Sequence, residues 1–383
     1  MRILLIGEYS RLHNSLKRGL VELGHDVTLV GTGDLFKNYP VDISIKPTLF
    51  SYKTIPLFIR KVFLRLIKKD LAQWEIGYRF QKILPKLKGY DVVQLINSNS
   101  IGTFPKKEKE LLKVLFQQNK NIFLMACGDD YPVIKHYLDG NERYHILTPY
   151  FESNGKIKAD FALKYMTPPF KDLFFYVYNN VKAVIPSDVD YKLPWAKWDK
   201  VTNVIPNPIL IPENYQPLNC INRKIIIFLG INTLNYTKKG YKYFEEALIK
   251  IKNDFDDKVE IRCTKNLPFD EYVHHLETCD ILLDTIYAYD QGYNALEAMA
   301  RGKVVFTGAE KEFIEHYQLK QKVNINALPN VDSIYSELEH LILNPKEINE
   351  IGHNARFFIE KEHNYKLVAQ NYIKTWEGKI NKL

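Results

Sequence analysis

One figure repeats along this chain and limits what it can become: a short apolar run, a glycine or an acid, then a stretch with helical spacing. "RILLIG" (2–7) leads into "LHNSLKRGLVELG" (12–24), which has helical spacing, and then into "HDVTLVG" (25–31). The figure returns at "YDVVQLI" (90–96), a helical stretch near 106–119, "NIFLMACG" (121–128) and "VKAVIPS" (181–187). A strand with one wet face alternates apolar and polar residues; these runs are continuous. Such strands, separated by helices, read as a parallel sheet covered on both faces. From 129 to 180 the chain is aromatic and irregular, with "TPPF" at 167–170. Helices are expected there, without sharp bounds.

The figure stops at "VIPNPILIPENYQPLNCIN" (204–222), which carries four prolines and no helical period. That stretch reads as a connection between domains. The alternation then restarts with strands at "KIIIFLG" (224–230), "KVEIRCT" (258–264), "DILLDT" (280–285) and "KVVFTG" (303–308), with helices between them. Residues 331–383 read as mostly helical. A length of 383 residues with 46% apolar content suits two domains with a core each. The predicted division is 1–212 and 213–364, with 365–383 returning to the first. Two α/β domains facing each other form a cleft, and ligands of such sheets bind at the carboxyl ends of the strands.

The formal charge of +8 is a mild basic excess. It suits an anionic ligand or a membrane surface and does not by itself argue for nucleic-acid binding. Cys127, Cys220, Cys263 and Cys279 are scattered, without zinc or disulfide spacing. "MRILLIG" holds five apolar residues before its glycine, too few for a signal-peptide core. No run approaches the roughly 18 apolar residues of a spanning helix. A cytoplasmic protein is therefore expected, and no residue spacing here calls for a cofactor or metal.

The densest local signal is "YDQGYNALEAMARGKVVFTG" (289–308). A helix is predicted to begin near Gly292 or Tyr293. Its first amides, around Tyr293 and Asn294, together with the helix dipole, suit an anion such as a diphosphate. Glu297 follows about one turn later, roughly 6–8 Å along the axis. That is about the step from a diphosphate to its ribose, and a carboxylate can accept from two vicinal hydroxyls. The alternative is an exposed glutamate after an ordinary turn. The small apolar neighbours Ala295, Ala298, Met299 and Ala300 favour a packed helix, in which a lone acid needs a partner.

With these residues in view, "GYNALEAMARGKVVF" resembles the signature of GT-B fold glycosyltransferases, specifically the retaining group called family 4. The resemblance implies two facing Rossmann-like domains with a central cleft and a C-terminal helix, near 365–383, crossing back to the first domain. It implies that Glu297 holds the ribose of a nucleotide-diphosphate sugar. The family's first glutamate would fall at Tyr289, with Asp290 adjacent as a substitute, so donor-sugar recognition departs from the pattern. "FLGINTLNYTKKGYKYFEEAL" resembles the family's diphosphate-binding stretch. By that resemblance Lys239 neutralises the diphosphate. Ile231 stands where the family has an arginine, leaving Lys238 or Arg262 to supply the missing charge. A solvated lysine before a helix is the plain alternative for Lys239.

"MACGDDYP" (125–132) ends a buried strand with two acids, of which Asp130 is favoured over Asp129 to face the cleft and contact the donor sugar or the incoming hydroxyl. The alternative is a turn capping the next helix. "GEYSRLHNS" (7–15) places Ser10, His13 and Asn14 at the predicted cleft floor. A histidine there is more often a structural hydrogen-bonder than a base. Asp188-Val189-Asp190 matches the metal-binding D-x-D of GT-A transferases, a different architecture, and reads as chance. In "IPLFIRKVFLRLIKKDL" (55–71), Arg60, Lys61, Arg65, Lys68 and Lys69 project from one half of a helix and Ile59, Val62, Phe63, Leu66 and Ile67 from the other. Either the helix lies on an anionic membrane or its apolar half packs into the core.

The predicted activity is transfer of a sugar, with retention and without metal, from a nucleotide-diphosphate sugar to a hydroxyl acceptor. The expected acceptor is a saccharide or lipid-linked intermediate of surface-polysaccharide assembly, met at the inner face of the membrane. A sugar-nucleotide epimerase of the same fold and a non-catalytic nucleotide- or membrane-binding protein are the alternatives.

Overall fold

A computed structural model describes residues 1–34, 37–52, 54–67 and 69–381. Six parallel strands form the first sheet: β1 (Arg2–Ile6), β2 (Asp26–Gly31), β3 (Ile43–Ser44), β4 (Val92–Leu95), β5 (Ile122–Ala126) and β6 (Ala183–Pro186), in the order β3-β2-β1-β4-β5-β6. Side chains of a strand alternate between faces, and here both faces are covered. Leu4 and Ile6 pack with Phe80, Leu112 and Phe174; Ile3 and Leu5 pack with Leu16, Val368 and Trp376. That is why β1 is apolar without alternation.

The second sheet has β7 (Ile225–Ile231), β8 (Val259–Lys265), β9 (Ile281–Leu283), β10 (Val304–Thr307) and β11 (Ile325–Asn326), in the order β11-β10-β9-β7-β8, again parallel. The strands predicted from apolar runs are present. The edge strands β3 and β11, two residues each, were not predicted.

The chain crosses between the domains twice, and the crossings are stitched together. Ile209 donates to His363 O at 2.7 Å and accepts from the Tyr365 amide at 3.2 Å; His363 Nδ1 lies 2.9 Å from Asn207 O. The last helix, Tyr365–Ile380, then lies on the N-terminal domain against Leu12–Glu22. A Cβ on Gly19 would meet Tyr365 O at 2.5 Å and the Ala369 methyl at 2.7 Å, so only glycine permits this approach. Trp376 reaches under the sheet and donates to Gln94 Oε1 at 3.1 Å.

The region predicted as one helix at 55–71 is two. Thr54–Ile67 ends before Asp70, which caps Leu71–Ile83 by accepting from the Ala72 amide and is gripped by Arg60 at 2.6 Å. Lys68 lies outside the described residues, as do 382 and 383 of the final segment. The apolar side of Thr54–Ile67 does not enter the core: Phe58 is 68% and Leu66 76% exposed, and Phe63, Leu64 and Ile67 are exposed with them. The core-facing alternative for this helix is thereby corrected. Among the described residues no helix is long and apolar enough to cross a membrane.

Candidate active site

The carboxyl ends of both sheets face one another, and a cavity of about 260 Å³ opens between them. Lys238, Lys239, Asp284 and Gly292 line it from the C-terminal domain, Asp129, Asp190 and Tyr191 from the N-terminal domain. Lys239 is placed by Gly240, whose φ of +68° and contact with Ile286, where a Cβ would come within 2.8 Å, exclude other residues. Lys239 Nζ lies 2.6 Å from Asp284 Oδ1 at the end of β9. Burial works against its charge, but the Asp284 carboxylate and Tyr241 together outweigh that and hold the ammonium above the ordinary lysine value. Lys238 crosses the cleft to Asp129, Nζ to Oδ2 3.0 Å.

A second contact spans the cleft further along. The helix Tyr293–Met299 starts from Gly292, and Glu297 on it meets Arg11 of the N-terminal domain, Nη1 to Oε1 3.3 Å. Gly292 itself is extended (φ −80°), and a Cβ there would meet nothing within 4 Å, so its place is open towards the cleft. Asn294 is exposed in the first turn, while the Tyr293 hydroxyl donates to Pro208 O at 2.8 Å.

The loop after β1 is a network of its own. Glu8 accepts from the amide and side chain of Asn14 at 2.8 and 2.6 Å. It is 2% exposed, and burial pushes its carboxyl up to about 8. The Ser10 amide donates to Asp34 Oδ2, and Lys37 ties Ser10 Oγ to the same carboxylate.

With this geometry fixed, the likeness to known proteins can be placed. The profile of the glycosyl transferase-like family matches residues 235–374, which include Lys238, Lys239 and Glu297. No curated protein matches the sequence. In structure, sucrose-phosphate synthase from Thermosynechococcus elongatus aligns with a TM-score of 0.64 at 12% identity, over 99% of each chain. HepE from Anabaena, in complex with UDP and glucose, aligns at 0.59 and 12% over 100% of each chain. This is the GT-B glycosyltransferase fold. UDP-GlcNAc 2-epimerase from Neisseria meningitidis, bound to UDP-GlcNAc, also aligns, at 0.52 and 12%, over 98% of this chain and 99% of the other. At such identities the likeness is one of fold.

Several predicted site residues take other places in the GT-B frame. Asp130 turns inward, 4% exposed; it accepts from the amide and hydroxyl of Ser98 at 3.0 and 2.7 Å and caps the helix Tyr131–Leu138. The order of preference is reversed: Asp129 faces the cavity. Arg262 pairs with Glu260 and the Thr278 hydroxyl, away from the cavity, so it supplies no charge there. His13 is fully buried with Nδ1 on Gly7 O, and burial lowers its value to about 4, which suits a neutral structural ring. Ser10 and Asn14 hold their own loop, as described.

Tyr289 and Asp290 belong to the domain seam. The Tyr289 hydroxyl accepts from the Arg143 amide at 2.7 Å, with the Arg143 guanidinium over its ring at 4.5 Å. Asp290 accepts from the Val189 amide at 2.9 Å and the Gln291 amide at 2.7 Å, so it is not available as a replacement glutamate. Asp188 caps Val189–Trp195 by accepting from Tyr191, and Asp190 accepts from the amides of Tyr289 and Asp290. Burial pushes all three aspartates upward. Arg143 further pairs with Glu310 at 2.7 Å and Glu312 at 2.8 Å, and the Tyr144 hydroxyl bonds Glu310.

The sequence reading missed Glu8, Arg11 and Asp284. Glu8 and Asp284 each follow an apolar strand at its carboxyl end, where ligands of parallel α/β sheets bind, and that position was the available signal. Arg11 had none, because its direction comes from a left-handed turn.

Proposed function

We propose that this protein is a retaining, metal-independent glycosyltransferase that moves a sugar from a nucleotide-diphosphate sugar to a hydroxyl acceptor. The observation that carries the reading is that Lys238, Lys239 and Gly292 of one domain share a cavity with Asp129 of the other, in a GT-B fold. Glu297 holds the ribose hydroxyls. Lys239 stabilises charge on the departing diphosphate. The bond from the anomeric carbon to the diphosphate breaks as the bond to the acceptor oxygen forms on the same face. The acceptor proton passes to a phosphate oxygen, and Asp129 orients the incoming hydroxyl. Cations take the place of a metal, and the aspartates of the D-x-D stretch are already engaged by backbone amides.

The acceptor is lipid-linked or a surface saccharide, and the enzyme works at an anionic membrane surface. The exposed apolar side chains of Thr54–Ile67, with Lys61 and Arg65 on the same helix and the exposed, stacked Trp74 and Tyr78 on the next, support that reading. Phe58→Ser with Leu66→Ser should lower binding to vesicles containing phosphatidylserine without lowering the melting temperature. Unchanged vesicle binding removes the membrane from the proposal.

An epimerase is the second reading, favoured by the likeness to UDP-GlcNAc 2-epimerase. Incubation of the protein with a panel of nucleotide-sugars, with and without a membrane acceptor extract, separates the two. Sugar appearing on the acceptor supports transfer. Isomerised nucleotide-sugar without acceptor supports the epimerase, and binding without turnover leaves only a nucleotide-binding protein.

A further inference from the structure

Three cations at the cleft are each paired: Lys239 with Asp284, Lys238 with Asp129, Arg11 with Glu297. The first is short and its aspartate is buried, which offsets part of the charge Lys239 brings to a diphosphate. β7 ends on Ile231, 2% exposed, and contributes none. A diphosphate carries more charge than the paired Lys239 offsets, so a second cation beside it is called for.

We propose that Arg11 is that cation: when a nucleoside diphosphate enters, its guanidinium leaves Glu297 for the phosphates, and Glu297 turns to the ribose. The inference rests on the nucleotide-sugar reading above. Three features carry it. The contact with Glu297 is made by one Nη1 at 3.3 Å, with 38% of the arginine side chain exposed, whereas a guanidinium binds phosphate through two parallel hydrogen bonds. Its direction is built in: Ser10 (φ +50°) and Arg11 (φ +72°) are both left-handed, which residues other than glycine rarely adopt. Asp34 and Lys37 fix the turn, and the Tyr39 ring lies 5.4 Å from the Arg11 guanidinium carbon. Lastly, Glu297 stands about one turn into its helix, so an arginine that reaches the ribose end also reaches phosphates roughly 6 Å away.

The test compares a nucleoside diphosphate with its bare nucleoside. UDP, GDP and ADP are titrated into the parent protein, and the tightest is carried forward with its nucleoside, by calorimetry and ligand-detected NMR. Arg11→Ala should weaken the diphosphate about 10- to 100-fold and leave the nucleoside within about twofold. Arg11→Lys, which keeps the charge but loses the fork, should fall between. Equal losses for both ligands make Arg11 a positioner of Glu297 and overturn the assignment, as does an unaltered diphosphate affinity. If Arg11→Ala does not fold, the same ratio is read on Arg11→Lys and Arg11→Gln. Failure of all three diphosphates to bind the parent overturns the nucleotide reading itself, a different outcome from equal losses.

Discussion

Two of the contacts between the domains are built differently. At the seam, Tyr289, Asp290, Asp188 and Asp190 are bound largely to backbone amides, with Arg143 clamped between Glu310 and Glu312. At the cleft, Arg11–Glu297 and Lys238–Asp129 join long cationic side chains, 38% and 34% exposed, to carboxylates 17% and 18% exposed. Buried bonds to the backbone cannot be exchanged without leaving a donor unsatisfied. Ion pairs whose cation is a flexible, partly exposed side chain hold weakly and can be exchanged. One contact is fixed by the backbone; the other is held by exchangeable charge.

Four substitutions test that division, from the largest expected effect to the smallest. Lys239→Ala should slow sugar transfer by about 10²- to 10³-fold while weakening donor binding less; steady-state kinetics equal to the parent's would take the lysine out of the site. Asp290→Ala, in the seam, should cost about 2–3 kcal/mol of folding stability by leaving two buried amides without an acceptor, with nucleotide affinity kept below the melting temperature. A denaturant midpoint that does not move would show the seam to be as dispensable as the cleft. Glu297→Ala should do the reverse: nucleotide affinity falls about 10- to 100-fold and the midpoint stays. Losing both together would merge the two regions.

Glu8 lies on the border, in the cleft loop but buried as deeply as the seam. Its folded value of about 8 exceeds the ordinary 4.5, so the folded state holds the proton more tightly. Its contribution is therefore complete below about pH 4.5 and is lost as pH rises towards 8, at no more than roughly 1.4 kcal/mol per pH unit. Glu8→Gln should flatten the fall of melting temperature between pH 5 and 8. Parallel curves for mutant and parent would mean that Glu8 titrates with water around it.

The architecture was legible because parallel strands buried on both faces leave unbroken apolar runs, and the prolines at 204–222 mark the crossing. β3 and β11 were too short to leave a run. At the site, sequence could nominate residue types but not direction. Neighbouring Asp129 and Asp130 are alike as letters, and only the capping of Tyr131–Leu138 sends one inward and leaves the other facing the cavity. Asp290 beside the family's glutamate position looked like a substitute; the approach of Val189 from the other domain, remote in sequence, decides otherwise. Arg11 points where it does because of two left-handed residues that carry no sequence signature.

The helix Tyr365–Ile380 supplies Val368, Ala369, Tyr372 and Trp376 to the core beneath β1 and β5. During synthesis the first half of the chain leaves the ribosome long before those four side chains exist. The domain made first is thus completed last, and until then it presents an unfinished apolar face that nascent-chain chaperones would be expected to cover.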